Sequence, residues 1–208
     1  MIKNEFTVNT SFLNNKSILI TGGTGSFGNV FVKKLLEDSN LRRLVILSRD
    51  EYKQHIMKEE FNKYDKSNLL RFFIGDVRDS ERLNMAFRDI DYVVHAAALK
   101  QITTAEYNPF EYIHTNVLGA QNIVKASLNC KIKKVISLST DKAANPINLY
   151  GASKLAADKV FISSNQLAGS QKTIFSLVRY GNVLGSRGSV LQLFKKIIND
   201  KKSTHLPI

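Results

Sequence analysis

The chain has 208 residues, of which 43% are hydrophobic and 23% are charged, and its formal net charge is +12. This composition excludes collagen-like, mucin-like and wholly disordered proteins, and the single cysteine, Cys130, excludes a disulfide framework or a cysteine-based metal site. The basic residues are scattered along the chain without interleaved aromatic residues, so we expect no nucleic-acid partner.

Short runs of β-branched and apolar residues alternate with amphipathic stretches. The runs predict six strands, at residues 17–21, 44–47, 71–75, 92–96, 135–139 and 174–178. The amphipathic spacing predicts helices at residues 27–38, 51–64, 80–88, about 110–129, about 149–166 and about 190–200. Near-continuous apolar strands separated by helices are typical of a parallel sheet that is covered on both faces. We therefore predict a doubly wound α/β fold, a Rossmann-type NAD(P)-binding domain over residues 1–208, with ligands at the carboxyl ends of the strands.

Several further classes are excluded by what the sequence lacks. No apolar run approaches the roughly 18 to 20 residues that span a bilayer, and the residues after Met1 lack the apolar core of a secretory signal, so we expect a cytoplasmic protein without a membrane span. His55, His114 and His205 have no companion at a metal-binding spacing, so we expect no metal site. We expect His95, at a strand end, to be a packed loop residue.

The first chemical motif is Thr21-Gly-Gly-Thr-Gly-Ser-Phe-Gly28, between the first predicted strand and the first predicted helix. Gly22, Gly25 and Gly28 permit a tight turn, close approach of a pyrophosphate to the backbone, and close packing of the helix on the strand. The N-terminus of that helix attracts the phosphates. The motif predicts a dinucleotide-binding site.

The end of the second predicted strand indicates which dinucleotide is bound. A site for NAD usually places a carboxylate there, which accepts a hydrogen bond from the ribose 2′-hydroxyl. In this chain Ser48, Arg49 and Lys53 suit a 2′-phosphate, although Asp50 would repel it unless its carboxylate points away. We therefore favour NADP; the alternative is that Arg49 is a solvated loop residue.

A candidate base lies in Tyr150-Gly-Ala-Ser-Lys154, at the start of a predicted helix. The i, i+4 spacing places Tyr150 and Lys154 on one helical face. A neighbouring ammonium and the positive nicotinamide favour the phenolate and lower the pKa of the tyrosine, so that it can take the proton of a sugar hydroxyl. Ser139 and Thr140, at the end of the preceding strand, can hydrogen-bond the reacting oxygen.

Asp141 and Lys142 follow Thr140 directly and face the same crevice as Tyr150. Adjacent opposite charges in a loop are normally solvated, but at this place they offer a proton donor and a proton acceptor beyond the tyrosine. Oxidation or epimerisation at carbon 4 of a sugar has no evident need of a second acid/base pair, whereas elimination of water does. The pair therefore favours a dehydratase.

Together these motifs resemble the extended short-chain dehydrogenase/reductase superfamily. The resemblance narrows to the inverting UDP-N-acetylglucosamine 4,6-dehydratase group of polysaccharide-biosynthesis proteins, and it covers about residues 16–208. Other sugar-nucleotide dehydratases carry Asp-Glu where this chain has Asp141-Lys142. The segments that carry the resemblance are Ser48-Arg-Asp-Glu51, Gly75-Asp-Val-Arg-Asp79, His95-Ala-Ala-Ala-Leu-Lys100, Ser139-Thr-Asp-Lys-Ala-Ala-Asn-Pro-Ile-Asn-Leu-Tyr150 and Val178-Arg-Tyr-Gly-Asn-Val183.

The resemblance implies a lyase that uses NADP to dehydrate UDP-N-acetylglucosamine and to invert carbon 5, giving a 4-keto-6-deoxy sugar nucleotide for surface glycan synthesis. It places Tyr150, with Thr140, in the proton-transfer network at carbon 4, and Lys154 on the nicotinamide ribose. It implies that Lys142 removes the proton from carbon 5, that Asp141 protonates the hydroxyl leaving carbon 6, and that hydride returns to carbon 6. As a base Lys142 must be neutral, which requires a depressed pKa that the charge of Asp141 opposes.

The resemblance also assigns binding residues, from the diphosphate, through the adenosine phosphate and adenine, to the nicotinamide. Beyond the glycines, Tyr150 and Lys154, the cofactor residues are Thr24, Ser26, Phe27, Ser48, Arg49, Asp50, Glu51, Tyr52, Lys53, Asp76, Val77, Ala97, Lys100, Thr115, Asn116 and Val183. The substrate residues are Lys100 and Asn182.

Two features depart from the family pattern. After Lys100 the family usually continues His-Val-Pro, whereas this chain has Gln101-Ile102-Thr103 in a loop that borders the sugar pocket. The chain also stops at Ile208, so we expect only the start of a substrate-binding cap, from about residue 182, with most of the cap for the uridine diphosphate missing. We then expect cofactor binding to survive better than turnover.

The sequence leaves alternatives open. Within the enzymes they are a retaining 4,6-dehydratase and a UDP-sugar 4-epimerase, and outside the enzymes a catalytically inactive NADP-binding sensor or scaffold. Homologous enzymes imply a homo-oligomer, although no apolar helix face can be assigned to its interface.

Overall fold

The computed structural model describes residues 9–65 and 67–183, together with residues 194, 197 and 198. The strands are β1 (Ser17–Thr21), β2 (Arg43–Ser48), β3 (Leu70–Ile74), β4 (Tyr92–His95), β5 (Lys134–Thr140) and β6 (Ile174–Tyr180). The α-helices are α1 (Ser26–Asp38), α2 (Glu51–Phe61), α3 (Ser80–Ala86), α4 (Ile102–Tyr107), α5 (Pro109–Tyr112), α6 (Gly119–Asn129) and α7 (Leu149–Ser163). A π-helical segment (Ile113–Leu118) joins α5 to α6, and 3₁₀ turns lie at Ser11–Leu13, Asp141–Ala143, Ser164–Leu167 and Gly169–Gln171.

The strands form one parallel sheet in the order β3-β2-β1-β4-β5-β6. The order reverses between β1 and β4, where the chain changes the direction in which it adds strands. In such sheets a crevice opens beyond the carboxyl ends of the strands at this switch point. The predicted doubly wound parallel sheet is confirmed, and the register pairs Thr21 with His95 and Thr140 with Tyr180 at its carboxyl edge.

Successive side chains of a strand point to opposite faces of the sheet and pack into two apolar layers, one on each face. On β1, Leu19 packs with Phe87 and Ile123, whereas Ile20 packs with Leu44 and others on the opposite face. Burial of each such side chain contributes about 1.5 to 3 kcal/mol. Because apolar side chains cover both faces of the described sheet, polar groups of the inner strands can meet a ligand at the strand ends.

The predicted elements differ from the structure mainly in the helices around residue 110. The expected helix of about residues 110–129 is divided into α5, the π-helical segment and α6. The preceding α4 was not predicted, because its start at Ile102 is β-branched and its N-cap, Gln101, makes no side-chain capping bond. The helix predicted at about 190–200 lies outside the described residues except for Phe194, Ile197 and Ile198, which are helical, and the cap expected from about residue 182 lies outside them beyond Val183.

Candidate active site

A cavity of about 740 Å³ opens along the carboxyl ends of the strands. Its walls come from the turn after β1, the loops after β2, β3 and β4, the end of β5, the start of α7 and the residues after β6. The predicted site residues that line it are Gly22, Thr24, Gly25, Ser26, Phe27, Gly28, Ser48, Arg49, Asp50, Lys53, Asp76, Val77, Ala97, Lys100, Thr115, Thr140, Lys142, Tyr150, Lys154, Asn182 and Val183. Those that do not line it are Glu51, Tyr52, Asn116 and Asp141.

The turn after β1 lacks side chains where the backbone must fold tightly. Gly22 has φ +68°, and a Cβ at this position would lie 2.8 Å from the backbone nitrogen of Ala97. A Cβ on Gly28 would lie 2.0 Å from a carbonyl oxygen of the turn, so α1 packs directly against it. Asn29, which no motif indicated, braces the turn by donating from its side-chain amide to two carbonyl oxygens at 2.9 and 3.1 Å. The result is a cradle of bare backbone at a helix N-terminus, which suits phosphate groups.

At one end the cavity reaches the loop between β2 and α2. The carboxylate of Asp50 caps α2, because it accepts the backbone N–H of Lys53 at 3.0 Å and also pairs with the Lys53 ammonium. These hydrogen bonds hold the pKa of Asp50 below its ordinary value. The one acidic group of this loop that lines the cavity is therefore paired with Lys53, while Ser48 and Arg49 line the cavity beside it. Tyr52 is 72% exposed and lies outside the cavity.

Asp76, in the loop after β3, lies at the centre of an ionic network. Its Oδ2 is 2.7 Å from Nη2 of Arg78 and 3.7 Å from Nη1 of Arg49. Arg78 also binds Glu111 of α5 at 2.7 Å through Nη1. Burial raises the pKa of Asp76, but the hydrogen bonds from Arg78 outweigh this effect and hold the pKa below its ordinary value. An ionised carboxylate is thus fixed in the cavity wall.

Lys154 is buried beneath the opposite end of the cavity. Its side chain donates from Nζ to the carbonyl oxygen of Leu138 at 2.7 Å, and the residue is 5% exposed. Burial lowers its pKa to about 8, against the opposing charge of Asp158 one turn later on α7. A lysine in this state changes charge close to neutral pH.

The expected lowering of the Tyr150 pKa by Lys154 is wrong for this structure. Burial of the phenol raises the pKa of Tyr150, the negative charge of Asp141 adds to the rise, and a hydrogen bond with Thr140 opposes it. Lys154 points instead to the carbonyl of Leu138. The i, i+4 spacing placed both residues on one helical face, but it gave no information on where the ammonium is directed.

Two buried hydroxyls in the cavity wall have no hydrogen-bond partner among the described residues. They are Oγ of Ser139 and Oγ1 of Thr115, whose residues are 3% and 4% exposed. Leaving such a group unpaired costs about 1 to 3 kcal/mol, so these atoms indicate a polar ligand. Together with the backbone cradle at Gly22, they fit a nicotinamide dinucleotide, whose diphosphate and polar head group need these two kinds of surface.

Asp141 and Lys142 lie at the mouth of the cavity, on the 3₁₀ turn after β5. Oδ1 of Asp141 accepts hydrogen bonds from Oγ1 of Thr140 at 2.9 Å and from Nζ of Lys142 at 3.1 Å. Nζ of Lys142 also donates to Oδ1 of Asn182 at 3.1 Å. The hydrogen bond from Lys142 holds the pKa of Asp141 below its ordinary value. Lys142 lines the cavity, whereas the side chain of Asp141 is 56% exposed at its rim.

Asn116 lies behind the wall and connects two parts of it. Its side-chain amide accepts the backbone N–H of Leu99 at 2.9 Å and donates to the Leu99 carbonyl and to Oγ of Ser153, each at 3.0 Å. Ser153 in turn donates to the carbonyl of Tyr150 at 2.8 Å. Asn116 therefore holds the loop before Lys100 against the helix that carries Tyr150. Its place in a π-helical segment is typical of functional sites.

Tyr180, at the end of β6, also lines the cavity and was not among the predicted site residues. Burial raises its pKa, and the neighbouring Tyr150 adds to the rise. The sequence carries a signal for it, because Tyr180 lies in the segment Val178–Val183 that resembles the family, but the resemblance assigns a role only to Asn182 and Val183 of that segment.

His95 is buried in β4, with Nδ1 2.8 Å from Oγ1 of Thr21. Burial lowers its pKa to about 3, so it is neutral, and it is packed as expected although it belongs to a strand rather than a loop. Across residues 9–65 and 67–183 the structure holds no cluster of three potential metal ligands. In the same part of the chain, every helix is too short or too polar to cross a bilayer.

Comparison with known proteins gives concordant matches. The family described as polysaccharide biosynthesis protein matches residues 18–208. Over 195 residues the chain is 57% identical to a UDP-N-acetylglucosamine 4,6-dehydratase (inverting) of Campylobacter jejuni subsp. jejuni serotype O:23/36 (strain 81-176), covering 94% of the chain and 57% of that protein. Over 190 residues it is 46% identical to a UDP-glucose 4-epimerase of Rickettsia bellii (strain OSU 85-389), covering 90% of the chain and 54% of that protein.

Among solved structures, Pen from Bacillus thuringiensis matches with a TM-score of 0.86 and 43% identity, over 91% of this chain and 57% of that one. The chain thus spans little more than half the length of the relatives that it matches. The match to the family extends from β1 through the whole of the described site. The chain therefore belongs to the polysaccharide biosynthesis protein family.

Proposed function

We propose that the protein catalyses the NADP-dependent 4,6-dehydration of UDP-N-acetylglucosamine with inversion at carbon 5, giving a 4-keto-6-deoxy sugar nucleotide for surface glycan synthesis. The observation that carries the proposal is the joined pair of Asp141 and Lys142 at the mouth of the cavity, next to Tyr150. The 57% identity to the Campylobacter dehydratase supports it. A cytoplasmic location, a homo-oligomeric assembly and a substrate cap that begins near residue 182 are parts of the same proposal.

In this proposal NADP occupies the cavity along the strand ends. The turn at Gly22 and the N-terminus of α1 would hold its diphosphate, and Ser48, Arg49 and Lys53 would hold its 2′-phosphate. Asp50 lines the cavity, and its pairing with Lys53 supports NADP because it offsets the charge that would repel a 2′-phosphate. When bound, NADP would supply a reversible acceptor for the hydride of the sugar.

The proton transfers belong to the chain's own side chains. Tyr150, hydrogen-bonded to Thr140, would take the proton of the carbon 4 hydroxyl as that carbon becomes a ketone. The ketone acidifies the proton on carbon 5, which Lys142 would remove, and Asp141 would protonate the hydroxyl that leaves carbon 6. One water is released, the hydride taken from carbon 4 would return to carbon 6, and a proton added to carbon 5 from the opposite face would invert that centre.

One proton transfer within the ion pair supplies both of the protonation states that the elimination requires. As an ammonium Lys142 cannot act as a base, and as a carboxylate Asp141 cannot act as an acid. If the proton moves along the 3.1 Å hydrogen bond from Nζ of Lys142 to Oδ1 of Asp141, the lysine becomes a base and the aspartic acid a donor. A bound sugar favours this transfer by excluding water, because burying two charges costs more free energy than burying two neutral groups.

The test is to incubate the purified protein with NADP and UDP-N-acetylglucosamine and to analyse the product. We expect a product lighter by one water in mass spectrometry, with proton couplings in NMR that show inversion at carbon 5. A lighter product with retained configuration would instead assign the retaining reaction. A product of unchanged mass would contradict dehydration, and NADP binding without any product would favour the inactive sensor or scaffold.

The second candidate is a UDP-sugar 4-epimerase, and the relative from Rickettsia bellii favours it. That reaction needs Tyr150 and the cofactor but no elimination. Lys142→Met should therefore abolish a dehydratase and leave an epimerase active, whereas Lys134→Met, at an exposed lysine on β5, should affect neither.

A further inference from the structure

Gln54 on α2 is a buried polar residue that the proposed reaction does not use. It is 5% exposed, and its carboxamide lies between the ends of β2 and β3. Nε2 of Gln54 is 3.1 Å from the carbonyl oxygen of Ser48, 3.0 Å from the carbonyl oxygen of Phe73 and 3.0 Å from Oγ of Ser48. Because the two carbonyl oxygens can only accept, the nitrogen end of the amide must face them.

This arrangement decides what the Ser48 hydroxyl can do. A carboxamide nitrogen donates and does not accept, so Oγ of Ser48 must be the acceptor in its contact with Gln54. The hydroxyl proton of Ser48 is then left for another acceptor, and the structure supplies none among the described residues. Ser48 is 8% exposed and lines the cavity, so its proton is available to a ligand there.

The neighbours of Ser48 in the cavity wall are also hydrogen-bond donors. Arg49 and Lys53 are cations. The carboxylate of Asp50 is engaged by the backbone and the ammonium of Lys53, and the carboxylate of Asp76 is engaged by Arg78 and Arg49. A phosphate accepts hydrogen bonds only, so it matches a wall of donors. A ribose 2′-hydroxyl carries a proton that such a wall leaves without an acceptor, which is why sites for NAD place a carboxylate at this point.

We propose that Gln54 is a positioning residue that fixes Ser48 as a hydrogen-bond donor and thereby sets the preference of this cavity for a 2′-phosphorylated dinucleotide. The inference rests on the proposed function only in requiring that a nicotinamide dinucleotide occupies the cavity. Gln54 acts through Ser48 and does not itself line the cavity.

The experiment compares the dissociation constants of NADP and NAD, measured by calorimetry on the same preparation of each variant. Gln54→Met keeps the size of the side chain and removes its donors, and we expect it to lower the preference for NADP about tenfold, as for loss of a hydrogen bond to a charged group. Gln121→Met, at an exposed glutamine of α6, is the matched control and should leave the preference unchanged.

Ser48→Ala separates positioning from a purely structural role. If Gln54 acts through the Ser48 hydroxyl, then Ser48→Ala lowers the preference by a similar factor, and Gln54→Met has no further effect in the Ser48→Ala background. A structural role would lower the affinity for both dinucleotides and leave their ratio unchanged. If Gln54→Met does not fold, Gln54→Asn, which stays neutral but is one methylene too short to reach Ser48, should lower the preference by a similar factor.

The outcomes distinguish this inference from the function on which it rests. A wild-type preference for NADP that persists in every Gln54 variant, or effects of Ser48→Ala and Gln54→Met that multiply independently, overturns the role of Gln54 alone. A wild-type preference for NAD overturns both this inference and the proposed cofactor.

Discussion

The two ends of the cavity are built differently. At the β2–α2 end, the polar groups are held by backbone: Asp50 caps a helix, and Gln54 spans two strand ends. At the other end, Asp141 and Lys142 lie on a short 3₁₀ turn, and their contacts are with each other and with polar neighbours at the rim. The first end is fixed before any ligand arrives. The second keeps charges that can exchange partners, which a site for proton transfer requires.

The comparison separates the groups that contribute to ligand affinity from the groups that take part in proton transfer. Preorganised donors bind a ligand without reorganising, and so they serve affinity. An exposed ion pair at a rim contributes little to folding stability, and a bound substrate can favour its neutral form by excluding water from it. Each of the following experiments tests whether the division between a binding end and a reacting end is real.

The largest effect is expected at the reacting end. Lys142→Met removes the proposed base, so turnover of UDP-N-acetylglucosamine should fall by about a thousandfold, as for loss of general base catalysis. The affinity for NADP should stay within about twofold, since only proton transfer is removed. Product formation by mass spectrometry and NADP calorimetry give the two readouts. Equal losses in both would show that the ends are not separable.

The burial of Lys154 beneath the reacting end should be measurable in the pH dependence of stability. Its pKa is about 8 in the folded protein and ordinarily 10.5. Between these values the unfolded lysine keeps a proton that the folded one has lost, so the free energy of unfolding rises with pH. The part due to Lys154 is on the order of 3 kcal/mol, and Lys154→Met should lack it.

Urea unfolding of the wild type and of Lys154→Met, at several pH values across that window, measures the effect as a difference. The difference is needed because Lys33 and Lys133 have raised pKa values, so their contributions to the free energy of unfolding are lost as the pH rises. Parallel stability curves for the two proteins would show that the ammonium is not penalised by burial.

Helix α7, which carries Tyr150 and Lys154, is joined to strand β6 by an ion pair whose carboxylate is buried. Nε of Arg179 is 2.9 Å from Oδ2 of Asp158, which is 1% exposed. Arg179→Met leaves this carboxylate buried without its partner, and we expect a loss of about 2 kcal/mol of stability, reduced from the value for a fully buried pair because the arginine is partly exposed. Lys159→Met, an exposed position on α7, is the control. Unchanged denaturant midpoints would contradict the role of the pair.

The smallest effect concerns the boundary of the binding end. Arg49→Ala, which removes a cation from the cavity wall, should weaken NADP binding about tenfold. Tyr52→Ala, three residues further, should change it by less than about twofold, because the side chain of Tyr52 does not line the cavity. A comparable loss in both variants would place Tyr52 in the site, as the family resemblance implies.

Much of the fold could be predicted because its signals are local. The strand β1 has the predicted bounds, since a buried apolar run ends in glycines. The helix α4 could not be predicted, because it begins without a capping side chain and its only strong boundary signal, Pro109, marks the start of α5. Tertiary packing, which spacing does not report, decides such a segment.

The site was predictable where a motif coincides with a strand end, as at Gly22 and Ser48. Of the residues that hold the site in shape, Asn29 and Gln54 were not predicted, since they are polar residues on helices and have the sequence pattern of a solvated face. Asn116 was predicted only through the family resemblance. Gln54 and Asn116 also have partners from elsewhere in the chain: Phe73 is 19 residues from Gln54, and Leu99 is 17 residues from Asn116. The raised pKa of Tyr150 was missed for a related reason, because burial depends on the whole fold.

The π-helical segment Ile113–Leu118 has a consequence for how this protein can change over time. A π turn holds one residue more than an α turn, so winding it as a regular α-helix with every residue kept would rotate one flank by about 100° relative to the other. Tyr112, whose hydroxyl donates to the carbonyl of Gln101 at 2.5 Å, and Asn116, which binds Leu99, would then lose their common alignment. A substitution that only favours regular α-helical winding can therefore disturb both contacts at once while it leaves Tyr112 and Asn116 themselves unchanged.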